Sequence, residues 1–462
     1  MHKTSRRKFI GQASCAAIGS STFLSSLMNL NLLNAAASYN NAGDYKALVC
    51  ILLAGGNDSF NMLVPSGNDE YLEYATIRSG LAIDQEDLLT MTNNMNNGKE
   101  FGLHPSMAQV RDLYDMGNLA FLSNVGTLVE PTDLNSYENQ TVALPKGLFS
   151  HSDQIQQWQT SLPQSKSTTG WGGRMADVLS SLNTNQNVSM NISLSGVNVF
   201  QVGNNVFPFA ISPNGSIGIN GYGLPAPFNQ VRTAAIDSLL DAHYANVFEG
   251  LYGSTVKNAQ LSHAEFSEAI ENITPLNTTF NQDNSLSRDL EMVAKTIAAR
   301  NDLGFCRQTF FITFGGWDHH DEVINNQLYM LGVVSEALQE FYNAMVELNL
   351  TNDVTTFTVS DFGRTLSSNG NGSDHAWGGN HMIMGGAVNG NQIYGAYPDL
   401  YEGNPQDVGR GRLLPTTSAD EYFADLALWF GVSPSDLDIV LPNIYNFIPS
   451  GQTTGPLGIM NV

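Results

Sequence analysis

Four short stretches of the chain are almost wholly apolar or β-branched: residues 47–53, 119–124, 309–314 and 354–360. A strand covered on both faces reads this way, whereas a half-buried strand alternates. Between the last two stretches Leu331, Val334, Leu338, Phe341, Met345 and Leu348 recur at alternating steps of three and four. That spacing draws one apolar stripe along a helix over residues 326–350. Strand, helix and strand with short joins predict a parallel pair and a right-handed crossover. Further helices are expected over residues 107–116, 231–251 and 287–300. Ser418-Ala419-Asp420-Glu421 has the spacing of a capping box, opening a helix that Gly431 closes. Residues 183–219 alternate polar and apolar side chains, as in Val188-Ser189-Met190-Asn191-Ile192. They predict antiparallel strands in a β-rich insertion over residues 183–225.

The expected fold class is α/β, with a mainly parallel sheet covered on both faces. No low-complexity linker, repeat or membrane span divides the 462 residues, and the candidate chemistry draws on both ends of the chain. Residues 38–462 are therefore expected to form a single domain with an insertion. Residues 1–37 read as an export signal. Arg6 and Arg7 precede a mildly apolar, Ala- and Ser-rich stretch, and Ala35-Ala36-Ala37 offers a cleavage site before Ser38. This is the pattern of twin-arginine translocation to the periplasm or beyond. Cys15 lies too near the arginines to mark a lipoprotein. Loss of the segment removes Lys3, Arg6, Arg7 and Lys8 and no acid, taking the net charge from −23 to −27. So acidic a surface lacks the basic footprint that nucleic acid requires. The remaining cysteines, Cys50 and Cys306, sit in or beside apolar stretches and form no disulfide framework.

Polar residues follow three of the apolar stretches. Gly55-Gly56-Asn57-Asp58 follows the first, Gly315-Gly316-Trp317-Asp318-His319-His320 the third, and Asp361-Phe362-Gly363-Arg364 the fourth. Asp374-His375 and His381 then flank a Gly-rich turn. Ligands of open α/β sheets bind at the carboxyl ends of strands, so these segments are expected to build one polar site. A mixed Asp and His set suits zinc or manganese better than calcium, as one ion or a pair. Asp318 and His320, two apart, point to one side if strand geometry persists, and His319 points away. Each residue also has a plainer role. Asp58 after Gly-Gly is a turn residue or cap, Asp361 an N-cap for a helix near Phe362, and His375 a solvated loop histidine.

The segments Leu52-Leu53-Ala54-Gly55-Gly56-Asn57-Asp58, His104-Pro105-Ser106, Ser150-His151, Gly170-Trp171-Gly172-Gly173-Arg174, Gly316-Trp317-Asp318-His319-His320, Ser360-Asp361-Phe362-Gly363-Arg364 and Asp374-His375-Ala376-Trp377-Gly378 carry a resemblance. With them the chain resembles the exported bacterial family called domain of unknown function 1501 (DUF1501), which is similar to the alkaline phosphatase and sulfatase superfamily. The resemblance implies a three-layer α/β/α sandwich, alkaline-phosphatase-like, around a mainly parallel sheet with metals at the strand ends. It matches Asp58 to an early Asp ligand, Asp318 and His320 to a later Asp–His pair, and His375 to a final His ligand. Asp361 stands where many relatives carry Glu. Phe362 stands where phosphatases of the superfamily often place a His ligand, and the step from Asp318 to His320 is shorter than theirs.

The resemblance implies a nucleophile that begins a helix. Ser150, before His151-Ser152-Asp153-Gln154, is the candidate, and its plainer role is the N-cap of that helix. His151 is a candidate sixth ligand. Arg364 and His381 are candidates for binding an anionic ester, Arg364 alternatively forming a structural ion pair. Trp171 and Arg174 read as packing. Two functions follow. One is an exported metal-dependent hydrolase of phosphate or sulfate esters, small or polymeric. The other is a non-catalytic metal-binding or assembly protein of the cell envelope on the same fold.

Overall fold

The computed structural model describes residues 44–461. The twin arginines, Cys15 and the cleavage site before Ser38 lie outside the described residues. The strand Lys46–Ala54 runs through the centre of a ten-stranded sheet, with every residue from Ala47 to Leu53 buried. It lies between two parallel neighbours, Arg307–Gly315 and Val354–Ser360. Both faces are covered, which explains the unbroken apolar stretches. In register, Ala54 stands beside Gly315 and Leu53 beside Ser360. The three chains therefore leave the sheet at one height. Beyond Val354–Ser360 comes Gly379–Met384, antiparallel to it and to the next strand, Leu119–Gly126. Its reversed direction brings the residues before Gly379, among them His375, to the edge that the other strands leave.

Helices cover both faces. Ala108–Asp115, Ser285–Ala298 and Val323–Glu347 pack together, as do His151–Thr160, Trp171–Leu179, Ala419–Phe430 and Leu437–Val440. The Val323–Glu347 helix crosses between two parallel strands and buries Leu331, Val334, Leu338, Phe341 and Met345. The capping box at Ser418 forms, with the Glu421 amide donating to Ser418 Oγ at 3.1 Å and the Ser418 amide to Glu421 Oε2 at 2.9 Å. Gly431 closes the helix at φ +118°. Cys50 and Cys306 are both free thiols. No helix among the described residues is long and apolar enough to cross a membrane.

The middle of the chain departs from the expectation. Asn191–Ser193 joins the main sheet parallel to Arg307–Gly315, and Phe209–Ser212 extends it, again parallel. Only the two-residue strand Gly215–Ser216 is antiparallel there. The polar members of the alternation, Asn191 and Ser193, are as buried as Ile192 between them, so the alternation reports neither an exposed face nor the direction of the partner strand. The helix expected over residues 231–251 is broken into Pro227–Leu240 and Val247–Glu271. Asn246 restarts it, its side chain accepting the Phe248 amide at 2.9 Å.

Candidate metal centre

At the carboxyl edge three imidazoles meet a carboxylate. His151 Nε2 lies 3.0 Å from His375 Nε2, which lies 2.9 Å from His320 Nε2. Asp318 Oδ1 is 3.1 Å from His320 Nε2 and 3.5 Å from His375 Nε2, and Asp318 Oδ2 is 3.5 Å from His151 Nε2. The other nitrogen of each ring faces an oxygen. His375 Nδ1 is 2.8 Å from the Phe149 carbonyl, which can only accept, so this nitrogen carries the proton. His151 Nδ1 is 2.6 Å from Asp361 Oδ2, and His320 Nδ1 is 3.2 Å from Asp374 Oδ1.

These positions follow from the backbone. Gly55 and Gly56 turn the chain after the central strand at φ +123° and +83°. A Cβ on Gly55 would lie 2.5 Å from the Asp318 amide nitrogen. Only glycine lets the two loops close on each other. Asp361 is buried, accepts the Gly55 amide at 3.0 Å through Oδ1, and orients His151 through Oδ2. Its backbone carbonyl accepts from Trp158 Nε1 at 3.1 Å. It starts no helix, so the expected cap at Phe362 does not form. Burial pushes the Asp361 carboxyl up, with the Gly55 amide and His151 opposing. Burial also acts on Asp318, but the Arg364 guanidinium and the nearby His320 and His151 outweigh it and hold this carboxylate below its ordinary range. Burial lowers His375, and the Phe149 carbonyl opposes the shift in part.

Asp318, His320, Asp361, His375 and His151 come together. Asp58 does not join them. It is fully buried and paired with Arg78 at 2.7 Å, and its same oxygen accepts from Ser373 Oγ at 2.7 Å. Arg364 is fully buried too. It donates to the Gly56 carbonyl at 2.9 Å, the Ser373 carbonyl at 2.9 Å, the Gly55 carbonyl and Asp318 Oδ1. Its donors are engaged inside the protein, which corrects the expectation that it clamps a substrate. His381 is buried within its strand against Trp158, ring centres 4.8 Å apart, and burial pushes it down to about 3. It therefore does not face a ligand. His319 is buried away from the cluster, against Trp317. Ser150 occupies the N-cap position of the His151–Thr160 helix, yet its hydroxyl bonds no helix amide and donates to Asp153 Oδ2 at 2.8 Å. Trp377 is core, its indole donating to the Thr127 carbonyl at 2.9 Å.

Sequence reasoning placed Asp374 among the polar segments without giving it a role, and it did not single out Phe149. Asp374 was signalled by its place beside His375. The Phe149 contribution is a backbone carbonyl, which no side-chain pattern reveals.

The donor set fits a divalent cation. Nitrogen and oxygen ligands at about 2.0–2.1 Å around a tetrahedral ion stand about 3.3 Å apart. The spacings of 2.9 to 3.5 Å that link His375 and Asp318 to each other and to His151 and His320 bracket that value. His151, Asp318 and His375 each offer an atom within 4.8 Å of the others. Outward-facing ring nitrogens held by carboxylates or a carbonyl are the usual support of ligating histidines.

The fold and site thus define an α/β protein with a histidine–carboxylate cluster at the carboxyl edge of its sheet. The chain belongs to the family described as "Protein of unknown function (DUF1501)", whose model matches residues 45–432. No curated protein matches it. Among solved structures it is similar to PsFucS1 sulfatase from Pseudoalteromonas sp., at 11% identity and a TM-score of 0.36 over 93% of this chain and 77% of that one. It is similar also to the lipoteichoic acid synthase LtaP from Listeria monocytogenes, at 8% identity and a TM-score of 0.33 over 88% of this chain and 76% of that one. A third is Ps i-CgsB in complex with k-i-k-neocarrahexaose, at 11% identity and a TM-score of 0.34 over 84% and 72%. Likenesses of this size carry no argument about chemistry, which rests on the cluster itself.

Proposed function

We propose that this chain is an exported, metal-dependent hydrolase of phosphate or sulfate esters. One observation carries the reading: His151 and His320 each present Nε2 to His375 Nε2 and to Asp318, while each Nδ1 of the three rings faces an oxygen outside the cluster. With the protons on Nδ1, three inward lone pairs and a carboxylate converge, which favours a cation between them. His151, Asp318, His320 and His375 would hold it, with zinc or manganese preferred for mixed nitrogen and oxygen donors. Such an ion supplies Lewis-acid stabilisation of charge developing on an ester oxygen.

The chain's own groups have definite parts. Asp361 and the Phe149 carbonyl fix two rings, Asp374 fixes the third, and Arg364 fixes Asp318. Attack on the ester falls to a water or to Ser150, and for Ser150 the nearest proton acceptor is Asp153 at 2.8 Å. The residues at the amino terminus support export through the twin-arginine route, and replacing Arg6 and Arg7 by Lys is expected to retain the protein in the cytosol. The function is tested by elemental analysis of purified protein together with turnover of aryl phosphate and aryl sulfate esters. A divalent metal with ester turnover is expected. Metal without turnover on either ester class would replace this reading by the non-catalytic one.

A further inference from the structure

Gly409, Arg410 and Gly411 have consecutive positive φ values of 109°, 65° and 68°. A long side chain rarely adopts this left-handed conformation, and where it persists the surroundings over-determine it. Here they do. Asp407 Oδ1 accepts the amides of Gly409 and Gly411, both at 2.8 Å, and Oδ2 accepts the Gly403 amide at 3.0 Å. Ser367 Oγ donates to the Arg410 carbonyl at 2.7 Å, and the Leu366 amide to the Gly411 carbonyl at 3.0 Å. A Cβ on Gly411 would lie 2.6 Å from Leu366 Cβ. Arg412 donates to the Gly409 carbonyl at 3.0 Å and stacks on Phe149, 4.9 Å from the ring centre. Phe149 in turn holds His375.

This fixed arm projects a cation at Asp374, the carboxylate behind His320. Arg410 Nη2 lies 2.6 Å from Asp374 Oδ2, and the other oxygen of Asp374 faces His320. The Arg410 side chain is 55% exposed, and Asp374 is its only side-chain partner among the described residues. An exposed ion pair contributes little to stability, so the pair with Asp374 does not account for a strained arginine held between two glycines. Arg364, the other guanidinium at the site, has its donors engaged by carbonyls and Asp318.

We propose that Arg410 is the anion-receiving residue of this site, taking two oxygens of a tetrahedral oxyanion, phosphoryl or sulfuryl, in its planar fork while Asp374 keeps His320 in place. The identity of that anion as part of an ester rests on the hydrolase reading; the anion site itself does not. The test is calorimetric titration of the purified protein with inorganic phosphate and, separately, inorganic sulfate, with metal content measured for every sample. Wild type is expected to bind one of the two, which names the anion class. R410A is expected to weaken that binding about tenfold or more at unchanged metal content. R410G is expected to weaken it equally while raising the thermal midpoint, because glycine accepts the left-handed backbone. R410K, which keeps the charge and loses the fork, is expected to fall between. Wild-type affinity in both R410A and R410G, or no binding of either anion by wild type, overturns the proposal. Ester turnover with undisturbed anion affinity in R410A removes Arg410 and leaves the hydrolase. Anion binding lost in R410A, in a protein that turns over no ester, supports the site and removes the hydrolase.

Discussion

Asp58 and Asp318 leave neighbouring parallel strands at nearly the same height, each after a Gly-Gly pair, yet they do opposite work. Asp58 is fully buried against Arg78, itself fully buried. The Asp318 side chain is 49% exposed and faces three imidazoles. The contrast teaches that an acid behind a strand is chemically undecided until its partners are known. A guanidinium delivered by the helix Asn68–Arg78 turns one acid into a structural ion pair. Histidines delivered by three other segments turn the second into the centre of a site. Gly55 serves the second region twice, supplying the close approach to Asp318 and the carbonyl that Arg364 holds.

The sharpest way to break this comparison is to remove the partner of the buried acid. Arg78→Ala leaves a carboxylate uncompensated in the interior, and a loss of about 3–5 kcal/mol is expected in urea denaturation. Asp58→Asn is expected to keep the metal in the protein that remains folded; a metal-free, folded D58N protein would show that Asp58 is a ligand after all. Gly55→Ala comes next. Its Cβ meets the Asp318 backbone and its φ is unfavourable, so about 1–3 kcal/mol of stability is expected to go, with metal content falling as Asp318 is displaced. Unchanged metal content in G55A would detach the turn from the site. Asp318→Asn leaves the fully buried Arg364 guanidinium without its carboxylate, so a loss of about 1–3 kcal/mol is expected, while metal affinity, measured by competition with a chelator, drops because a neutral amide is a poorer ligand. The smallest effect is expected at Ser150. With no hydroxyl-to-amide cap to lose, S150A is expected to stay within about 0.5 kcal/mol of wild type. If its stability and metal are intact and turnover of an aryl ester disappears, Ser150 is the nucleophile. Retained turnover assigns the attack to water.

Much of the fold was legible because burial on both faces writes itself into composition. The unbroken stretches at residues 47–53 and 354–360 and the stripe from Leu331 to Met345 have no other economical reading. The strands at Asn191–Ser193 and Phe209–Ser212 were legible as strands but not in direction, because alternation does not encode the direction of a neighbour. At the site, Asp318, His320 and His375 stood out by residue type and position. Arg364 and His381 also stood out, and the structure gives them to the interior. A carbonyl ring around a guanidinium and an indole against an imidazole are tertiary facts that leave no local pattern.

What the sequence by itself determined is which residues stand at the carboxyl ends of strands, since apolar stretches ending in Gly-Gly-x-Asp, Gly-Trp-Asp-His-His and Asp-Phe-Gly-Arg place them there through backbone geometry alone. It also determined membership of the family matched over residues 45–432. The tertiary structure decided which of those acids is free. The antiparallel strand Gly379–Met384 carries His375 to the same edge, and the helix starting at His151 presents its first residue there. Asp58 meets Arg78 before it meets any imidazole. Charge partners are chosen by proximity in three dimensions, and the desolvation of a buried charge makes that choice costly to undo once the core has closed around it.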